Sequence, residues 1–223
     1  VLFQPCLYFL FESNALTYTT SSQAGVISAC LPVMVTSAAW VFLSESIQPR
    51  TLIGLFLAVT GVVVLTIFQA EITSAANPVL GNVMEFCAMI CACGNIILIK
   101  KLSTRYDTWA LTGMQVAAGL IWFLPGMGYF ISNGMAAITW QMLLIIGYLG
   151  VCVSFLSFGL YNYGVGKVKA STAAIFINLI PVTAMILGRI FLNERLSLIQ
   201  VLSAGAIIIG VGISSRPAQD KKL

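Results

Sequence analysis

Acidic side chains are scarce in this sequence, and one of them, Glu12, lies in the middle of a long apolar segment. The chain of 223 residues holds only seven Asp and Glu residues. Pro5, Tyr8 and Glu12 follow one another at spacings of three and four, which places them on one face of a helix. A carboxylate in such a segment can bind a proton or a cation, or it can persist as a neutral acid bonded to a tyrosine or the backbone. Both interpretations stay open for Glu12.

Two further charged residues, Glu85 and Arg189, lie within other apolar segments at similar predicted depth. An ion pair between them would lower the cost of both charges and would act as an outer gate. Alternatively, Arg189 extends its long side chain to the interface while Glu85 reaches water through a cavity. The chain contains no histidine, so Glu12 and Glu85 are the candidate carriers if protons are the coupling ions.

Amide side chains inside apolar segments form a third group of candidates, because they can either bind a substrate or join helices. Asn162 and Asn178 are the two amides that we place at a candidate binding site. Asn178 lies one turn before Pro181, whose ring removes a backbone donor and is expected to leave the carbonyl of residue 177 free. Together these groups predict a polar site between helices.

The elements that must position these groups are membrane helices. Apolar residues make up 59% of the chain and charged residues 8%, against about 25% charge in an ordinary soluble domain. The apolar segments are long enough to cross a hydrocarbon core of about 30 Å as helices. We predict an all-α polytopic membrane protein with eight helices, numbered α1 to α8, at about 2–19, 22–43, 49–69, 78–99, 108–131, 140–164, 171–192 and 196–214. Their expected N-caps are Ser22, Asn77, Asp107 and Ser171.

The sequence repeats itself with a period of 149 residues. Residues Ser22, Ala24, Pro32, Val33, Phe42, Leu43 and Glu45 recur as Ser171, Ala173, Pro181, Val182, Phe191, Leu192 and Glu194. The repeat relates α2 to α7, which are five helices apart and therefore cross the membrane in opposite senses. This is the inverted-repeat architecture of secondary transporters.

The repeat register extends the candidate site. It relates Tyr8 and Glu12 of α1 to Ser157 and Tyr161 of α6, so both helices carry a polar stripe, and we expect them to flank one central water-filled cavity. Pro32 and Pro181 are related in the same way, and each is predicted to be a hinge. Each of Glu45 and Glu194 is expected to cap the helix that follows it.

The basic residues predict the orientation. If the helices alternate, one side receives Arg50, Lys100, Lys101, Arg105, Lys167, Lys169, Arg216, Lys221 and Lys222, and the other receives Arg195 alone. This asymmetry predicts that the loops after α2, α4 and α6 and the C-terminus are cytoplasmic. The expected location is a bacterial inner membrane.

The two copies differ in length. The second contains α4 to α8, whereas the first contains only α1 to α3, so two helices are expected to be missing from a ten-helix, 5+5 fold. We divide the chain into an N-terminal repeat at 1–69, an extracytoplasmic linker at 70–77, a C-terminal repeat at 78–215 and a cytoplasmic tail at 216–223.

Residues 15–47 and 159–211 resemble the two hairpins of the drug/metabolite transporter superfamily, in its EamA-type branch. The most specific elements are the mid-helix Pro32 and Pro181 and the endings Phe42-Leu43-Ser44-Glu45 and Phe191-Leu192-Asn193-Glu194-Arg195. The resemblance implies a ten-helix, cofactor-free permease that moves small polar metabolites, often amino acids and frequently outward. The chain corresponds to the third to tenth helices of such a fold.

The sequence lacks the motifs of several other classes of protein. The sequence shows no phosphate-binding loop, no catalytic Ser/His/Asp set, no nucleic-acid-binding segment and no cysteine and histidine pattern for a metal. A non-transporting membrane scaffold is the main alternative, because two helices are expected to be missing, and a membrane-embedded enzyme is the weaker one. The expected partners are a small-molecule substrate and the lipid bilayer; substrate identity and oligomeric state stay open.

Overall fold

The structure is a computed structural model that describes residues 2–69, 76–134, 139–191 and 197–215. Within these ranges the chain is helical apart from short connections, as predicted. The linker at 70–77 lies largely outside the described residues, and the tail at 216–223 lies wholly outside them. The helices are α1 (Leu2–Leu7 and Tyr8–Tyr18), α2 (Ser21–Ser28 and Leu31–Leu43), α3 (Pro49–Gln69), α4 (Pro78–Leu102), α5 (Thr108–Gly134), α6 (Trp140–Tyr148, Leu149–Ser157 and Phe158–Lys167), α7 (Ala170–Phe176 and Leu179–Phe191) and α8 (Leu198–Ser215).

Seven of these helices are long and apolar enough to cross a membrane, counted over the described residues. They are α2 to α8, with spans of 18 to 28 residues. The α-helical part of α1, Tyr8–Tyr18, has 11 residues and follows a six-residue segment that is broken at Gln4. The prediction of an all-α polytopic membrane protein is confirmed.

Large apolar side chains cover the outside of this bundle. Phe56 on α3 is 75% exposed and Phe191 on α7 is 76% exposed. A soluble protein rarely leaves apolar surface of this extent uncovered, whereas hydrocarbon solvates it without penalty. The outer faces of the helices are therefore the faces that contact lipid.

Two of the four predicted helix caps are found, and two differ. Asn77 accepts the N–H of Leu80 at 3.2 Å, and the Asp107 carboxylate accepts the N–H of Trp109 at 2.8 Å. At α2 the cap is Thr20 rather than Ser22, because the helix begins at Ser21. The helix α7 begins at Ala170, before Ser171, and receives no capping bond from the side chain of Lys169, which precedes it.

The repeat-related helices α3 and α8 pack against each other along their length. A Cβ added to Gly54 would lie 2.5 Å from the carbonyl oxygen of Gly210, and one added to Gly210 would lie 2.6 Å from the carbonyl oxygen of Gly54. Glycine therefore allows the two backbones to touch, which is how membrane helices gain close packing without a hydrophobic driving force. Buried side chains such as Ala58 and Ile207 continue this contact on either side.

We expect Gly210→Ala to destabilise the protein by about 1–2 kcal/mol, because the added methyl group forces two backbones apart. Gly212 is the matched control on the same helix, since a Cβ there meets nothing within 4 Å. Gly212→Ala is expected to be neutral or slightly stabilising, because alanine favours a helix over glycine by about 1 kcal/mol. The measurement is unfolding in detergent by SDS titration, and equal midpoints for the two variants would contradict the proposed packing role.

Candidate functional site

A cavity of about 310 Å³ lies between α1, α2, α3, α4 and α7, and we call it the central cavity. Glu12 is the one charged residue among its lining residues, and there is no Lys or Arg among them. A concave space among apolar helices with a few polar groups on its wall is the usual form of a small-molecule site. The lining residues are Tyr8, Glu12, Gly25, Ser28, Ala29, Leu31, Val62, Thr66, Met89, Ile177, Asn178, Ile180 and Pro181.

Breaks in α2 and α7 form one side of this cavity. The helix α2 is interrupted at residues 29–30 and α7 at residues 177–178, each shortly before a proline, Pro32 or Pro181. At the breaks, Cys30 N–H bonds to the Ile27 carbonyl at 2.9 Å and Asn178 N–H bonds to the Ile175 carbonyl at 3.1 Å, three residues back rather than four. Such tight turns often mark a hinge. The roles of Pro32 and Pro181 as hinges stay predictions.

The break corrects one expectation about the backbone. The carbonyl of Ile177, which Pro181 deprives of its usual donor, accepts the N–H of Ile180 at 3.0 Å. The tightened turn supplies a nearer donor, as 3₁₀ turns do when an α-helical bond is lost. The free polar group next to the cavity is therefore the side chain of Asn178 and not this carbonyl.

Glu12 is held in the cavity wall by its own helix. The hydroxyl of Tyr8, one turn earlier, donates to the Glu12 carboxylate at 2.6 Å. Glu12 is partly exposed, so its carboxylate borders the cavity while bonded to Tyr8. Tyr8 and Glu12, which were predicted to share one face of α1, are therefore hydrogen-bonded to each other at the candidate site.

Glu85 lies behind the wall of the same cavity. Its side chain is 1% exposed, and one carboxyl oxygen is bonded to the hydroxyl of Ser28 at 2.8 Å. The other carboxyl oxygen has no hydrogen-bond partner. The cavity wall therefore has one carboxyl group at its surface and a second one behind it, each bonded to one hydroxyl.

The hydroxyl of Ser28 can serve Glu85 in either protonation state. It has one proton and two neighbours, the carbonyl of Ala24 at 3.0 Å and Glu85 at 2.8 Å. A charged Glu85 accepts that proton, whereas a protonated Glu85 donates its own to Ser28, which then donates to Ala24. This geometry suits a carboxyl group that gains and loses a proton.

Asn178 is a lining residue of the central cavity, and its side-chain nitrogen has no hydrogen-bond partner. Its side chain is 3% exposed, and its Nδ2 atom makes no hydrogen bond although it is buried. A buried amide donor without an acceptor costs about 1–3 kcal/mol, so native proteins seldom retain one unless something else binds there. An acceptor atom of a bound molecule would satisfy it.

The residues predicted on α6 lie elsewhere. Ser157 is exposed and donates to the carbonyl of Cys152 at 2.9 Å within its own helix. The Tyr161 hydroxyl is buried without a partner, outside the residues that line the central cavity. The helices α1 and α6 do flank a common space, but Tyr8 and Glu12 face a different one, because the two cavities lie on different sides of α1.

That common space is a second cavity of about 310 Å³, which we call the side cavity. Its wall is mostly apolar, with Phe9 of α1 and Phe158 of α6 in edge contact at 6.3 Å between ring centres. The lining residues are Gln4, Pro5, Phe9, Thr112, Gln115, Val116, Gly119, Leu120, Phe123, Gly150, Ser154 and Phe158.

Asn162 belongs to a buried amide network rather than to the central cavity. Its Nδ2 atom donates to Thr112 Oγ1 and to Gln115 Oε1, both at 2.9 Å. Gln115 in turn donates to Asn95 Oδ1 at 2.6 Å, and Asn95 donates to Gln4 Oε1 at 2.9 Å. The network joins four helices, which makes Asn162 a helix-joining residue here.

Gln115 is the centre of this network, although it is not among the candidate residues that the sequence suggested. Thr108, Thr112 and Gln115 follow at spacings of four and three, a polar face that would have identified it. All three are buried.

The proposed pairing of Glu85 with Arg189 stays a prediction. The hydrogen bond that Glu85 makes is with Ser28. Arg189 lies exposed in the second half of α7, whereas Glu85 is buried among helices.

Groups of three potential metal-ligating side chains are absent among the described residues. The cysteines of α4, at 87, 91 and 93, are unpaired thiols on a helix that packs against α1 and α2.

The fold and the central cavity define a class: a multi-pass helical membrane protein in which broken helices line a largely apolar cavity that carries a few polar side chains. The family model for the EamA-like transporter family matches residues 1–67 and 79–216. Because this match covers nearly the whole chain, the chain belongs to the EamA-like transporter family. The resemblance noted in the sequence is confirmed.

Curated relatives agree with this membership. The chain is 27% identical over 218 residues to the uncharacterized transporter YetK of Bacillus subtilis, covering 96% of this chain and 64% of that protein. It is 27% identical over 217 residues to an uncharacterized transporter of Archaeoglobus fulgidus, covering 96% and 75%. It is 28% identical over 184 residues to a probable amino-acid metabolite efflux pump of Salmonella typhimurium, covering 78% and 60%. The chain thus spans about two thirds of the length of these relatives.

One solved crystal structure superposes on the chain with a TM-score of 0.78. The superposition covers 93% of this chain and 73% of that chain at 16% identity. At this level of identity the likeness concerns the fold alone.

Proposed function

We propose that the protein is a secondary active transporter of small polar metabolites such as amino acids, working by alternating access around the central cavity. The observation that carries this proposal is the pairing, in one cavity, of a carboxylate at Glu12 with an unpartnered buried amide donor at Asn178. A carboxylate accepts from an ammonium group, and an amide N–H donates to a carboxylate or carbonyl. An amino acid carries both complementary groups on one carbon.

Two findings support this choice of substrate. The lining of the central cavity contains no basic side chain that would favour a purely anionic molecule. In addition, one relative is named a probable amino-acid metabolite efflux pump. Tyr8 supports recognition indirectly, because its hydroxyl orients the Glu12 carboxylate.

Energy for transport is proposed to come from a gradient, with protons as the coupling ions. Glu12 and Glu85 are the candidate carriers, since both are carboxyl groups at or behind the cavity wall and each is bonded to a hydroxyl. Carboxyl groups inside membrane helices commonly serve as proton relays in transporters.

The mechanical part of the proposal uses the inverted repeat, with residues 1–69 and 78–215 as its two copies. The repeat-related helices α3 and α8 pack together, and α2 and α7 break at nearly corresponding positions before Pro32 and Pro181. Two halves of opposite orientation can exchange conformations and open a shared site to either side. We place the protein in a bacterial inner membrane with its C-terminus in the cytoplasm, from the side that carries most of the basic residues.

The test is counterflow in proteoliposomes with a matched set of compounds: leucine, leucinamide, isopentylamine and 4-methylpentanoate. Leucine and leucinamide are expected to exchange, because both present an ammonium group and an oxygen acceptor. The amine without an oxygen acceptor is expected to exchange weakly, and the acid without an amine not at all. Exchange of the acid alone would contradict the assigned roles of Glu12 and Asn178. Absence of exchange for this set and for a wider panel of amino acids would favour a non-transporting scaffold.

A further inference from the structure

The side cavity has a polar end and an apolar end. Its polar end is formed by Gln4, near the start of α1, and by Thr112 and Gln115 in the first part of α5. Phe123 also lines the cavity and lies eight residues beyond Gln115, which is about 12 Å along the helix. One elongated space therefore offers hydrogen-bonding groups at one end and hydrocarbon at the other.

The wall of the side cavity carries no charge. Asp, Glu, Lys and Arg are all absent from its lining residues. A charged group among membrane helices is costly unless a partner of opposite charge lies next to it, so an ion is a poor ligand for this space. The ligand that fits the wall is uncharged.

Two polar side chains of this wall have unused hydrogen-bonding capacity. The side-chain oxygen of Gln4 accepts the amide of Asn95 at 2.9 Å, but its Nε2 atom donates no hydrogen bond within the described part of the chain. The hydroxyl of Ser154 makes no bond to any described residue either, whereas that of Ser157 donates to its own helix at 2.9 Å. Hydrocarbon offers no partner to such groups. An oxygen acceptor on a bound molecule would satisfy both donors.

The backbone that carries these two side chains departs from a regular α-helix. Ser154 and the neighbouring lining residue Gly150 belong to a π-helical segment, Leu149–Ser157. Gln4 belongs to the segment Leu2–Leu7, which is also π-helical in part and is broken at Gln4 itself. Short π-helical segments occur frequently at functional sites. Both irregular segments border the same cavity.

The side cavity lies between corresponding parts of the two repeats. The register of 149 residues relates Pro5 to Ser154 and Phe9 to Phe158, and all four residues line the cavity. A molecule in this space contacts α1 of the first copy together with α5 and α6 of the second. It contacts none of the residues that line the central cavity, because no residue lines both.

One side of the side cavity is open toward the bilayer. Leu120 and Phe123 of α5 are 65% and 45% exposed, and Gly150 and Ser154 of α6 are exposed as well. The outer faces of these helices contact lipid, so the open side of the cavity faces hydrocarbon. A ligand therefore reaches this cavity through the bilayer and not through water.

We propose that the side cavity is a binding site for a small uncharged amphiphile from the bilayer, with one alkyl chain and a neutral oxygen acceptor at its end. The acceptor binds the free donors of Gln4 and Ser154, and the alkyl chain lies along Leu120 and Phe123. The volume of about 310 Å³ is at the lower end of the range for small-molecule sites, about 300–1,000 Å³. This site is additional to the amino-acid site proposed for the central cavity.

The test is photolabelling of the full chain in phosphatidylcholine nanodiscs. The photoreactive compound is decanamide with a diazirine near the end of its alkyl chain, and mass spectrometry identifies the labelled residues. We expect labelling at or next to Leu120 and Phe123. Unlabelled decanamide is expected to compete about tenfold better than decane, which lacks the acceptor, and better than decyltrimethylammonium, which is permanently charged. A factor of about ten is the order expected for one hydrogen bond.

Filling the cavity is expected to abolish this labelling. A Cβ added to Gly150 meets nothing within 4 Å, so Gly150→Leu places its side chain in the cavity without displacing the protein. It is expected to reduce labelling by about tenfold or more, since it occupies the space that the alkyl chain needs. Gly147→Leu is the matched control, because a Cβ at Gly147 also meets nothing within 4 Å and Gly147 does not line the cavity.

A second pair of variants tests the acceptor and keeps the test available if Gly150→Leu folds poorly. Ser154→Ala removes a hydroxyl that bonds to no described residue and is expected to weaken competition by decanamide about threefold. It is expected to leave competition by decane unchanged. Ser157→Ala is the control, since that hydroxyl bonds within its own helix and lies outside the lining.

The outcomes separate cleanly. Equal competition by decane and decanamide, or equal labelling of Gly150→Leu and Gly147→Leu, would refute the site. Competition by a short-chain phosphatidylcholine but not by decanamide would assign the cavity to a two-chain lipid and would also refute it. Labelling is measured without transport, so its failure leaves the proposed transport of amino acids intact, and failure of leucine exchange leaves this site intact.

Discussion

Replacing Glu12 with Gln is expected to abolish proton-driven accumulation of substrate and to weaken substrate binding by about tenfold to a hundredfold. The amide keeps the size of the side chain and can still accept the hydroxyl proton of Tyr8, so the shape of the cavity is preserved. It cannot take up a proton, and it cannot neutralise an ammonium group. The loss of a hydrogen bond to a charged group accounts for the expected range, at about 1.5–3 kcal/mol.

The measurement is uptake of labelled leucine into proteoliposomes with and without an imposed pH gradient. Tyr8→Phe is the matched control, because it removes only the hydroxyl that binds Glu12 at 2.6 Å and leaves the carboxylate in place. It is expected to raise KM while uptake still responds to the gradient. Uptake by Glu12→Gln with unchanged pH dependence would show that Glu12 is not the essential proton carrier.

Glu85 gives a second arm of this experiment. Its buried carboxyl group is bonded to Ser28, and a glutamine at this position can accept the same proton. Glu85→Gln is therefore expected to fold and to lose gradient-driven accumulation if Glu85 carries protons. If uptake stops responding to the pH gradient in only one of the two variants, Glu12→Gln or Glu85→Gln, the residue replaced in that variant is the proton site.

Replacing Gln115 with Leu is expected to destabilise the protein by about 3 kcal/mol. The change removes the central amide of the network, so that Asn95 Oδ1 loses the donor at 2.6 Å and Asn162 loses one of its two acceptors. Each buried polar group left without a partner costs about 1–3 kcal/mol. A single hydrogen bond between membrane helices contributes less free energy than this on average. Gln115 bonds to several partners at once, so its replacement removes more than one such bond.

The midpoint of unfolding in an SDS titration measures this effect. Asn14→Leu is the matched control, because Asn14 is exposed and its amide bonds only to the carbonyl of Leu10 in its own helix. It is expected to change the midpoint little. A double variant, Gln115→Leu with Asn162→Leu, is expected to lose less stability than the sum of the two single changes, because the two residues share a bond. Strict additivity would contradict the network.

Helix positions were predictable from the sequence with small errors. The predicted segments at 49–69 and 78–99 correspond to Pro49–Gln69 and Pro78–Leu102. Hydropathy, prolines at first turns and capping residues such as Asn77 and Asp107 are properties of short stretches, so they can be read without knowing what surrounds the helix. The pairing of Tyr8 with Glu12 was accessible for the same reason, since it lies within one helix.

The predictions that failed or changed concern contacts between helices. Asn162 and the polar stripe of α6 were assigned to the same cavity as Glu12, but α1 lies between two cavities and presents Tyr8 to one and Phe9 to the other. Successive residues on a helix point about 100° apart, so a small rotation decides which space a side chain enters. Sequence spacing gives the face of a helix and not the neighbour that it meets.

The sequence by itself determined that this protein is a helical membrane protein whose residues recur with a period of 149, and it predicted the transporter family to which the chain belongs. These properties follow from the apolar length of each segment and from residues that recur at a fixed distance, both of which are linear features of the chain. The tertiary structure alone decided that Glu85 is bonded to Ser28, that the Asn178 Nδ2 atom lacks a partner and that Glu45 caps α7 instead of α3. The physical reason is that such contacts depend on how helices break, rotate and pack, and these are settled only when all the helices occupy the membrane together.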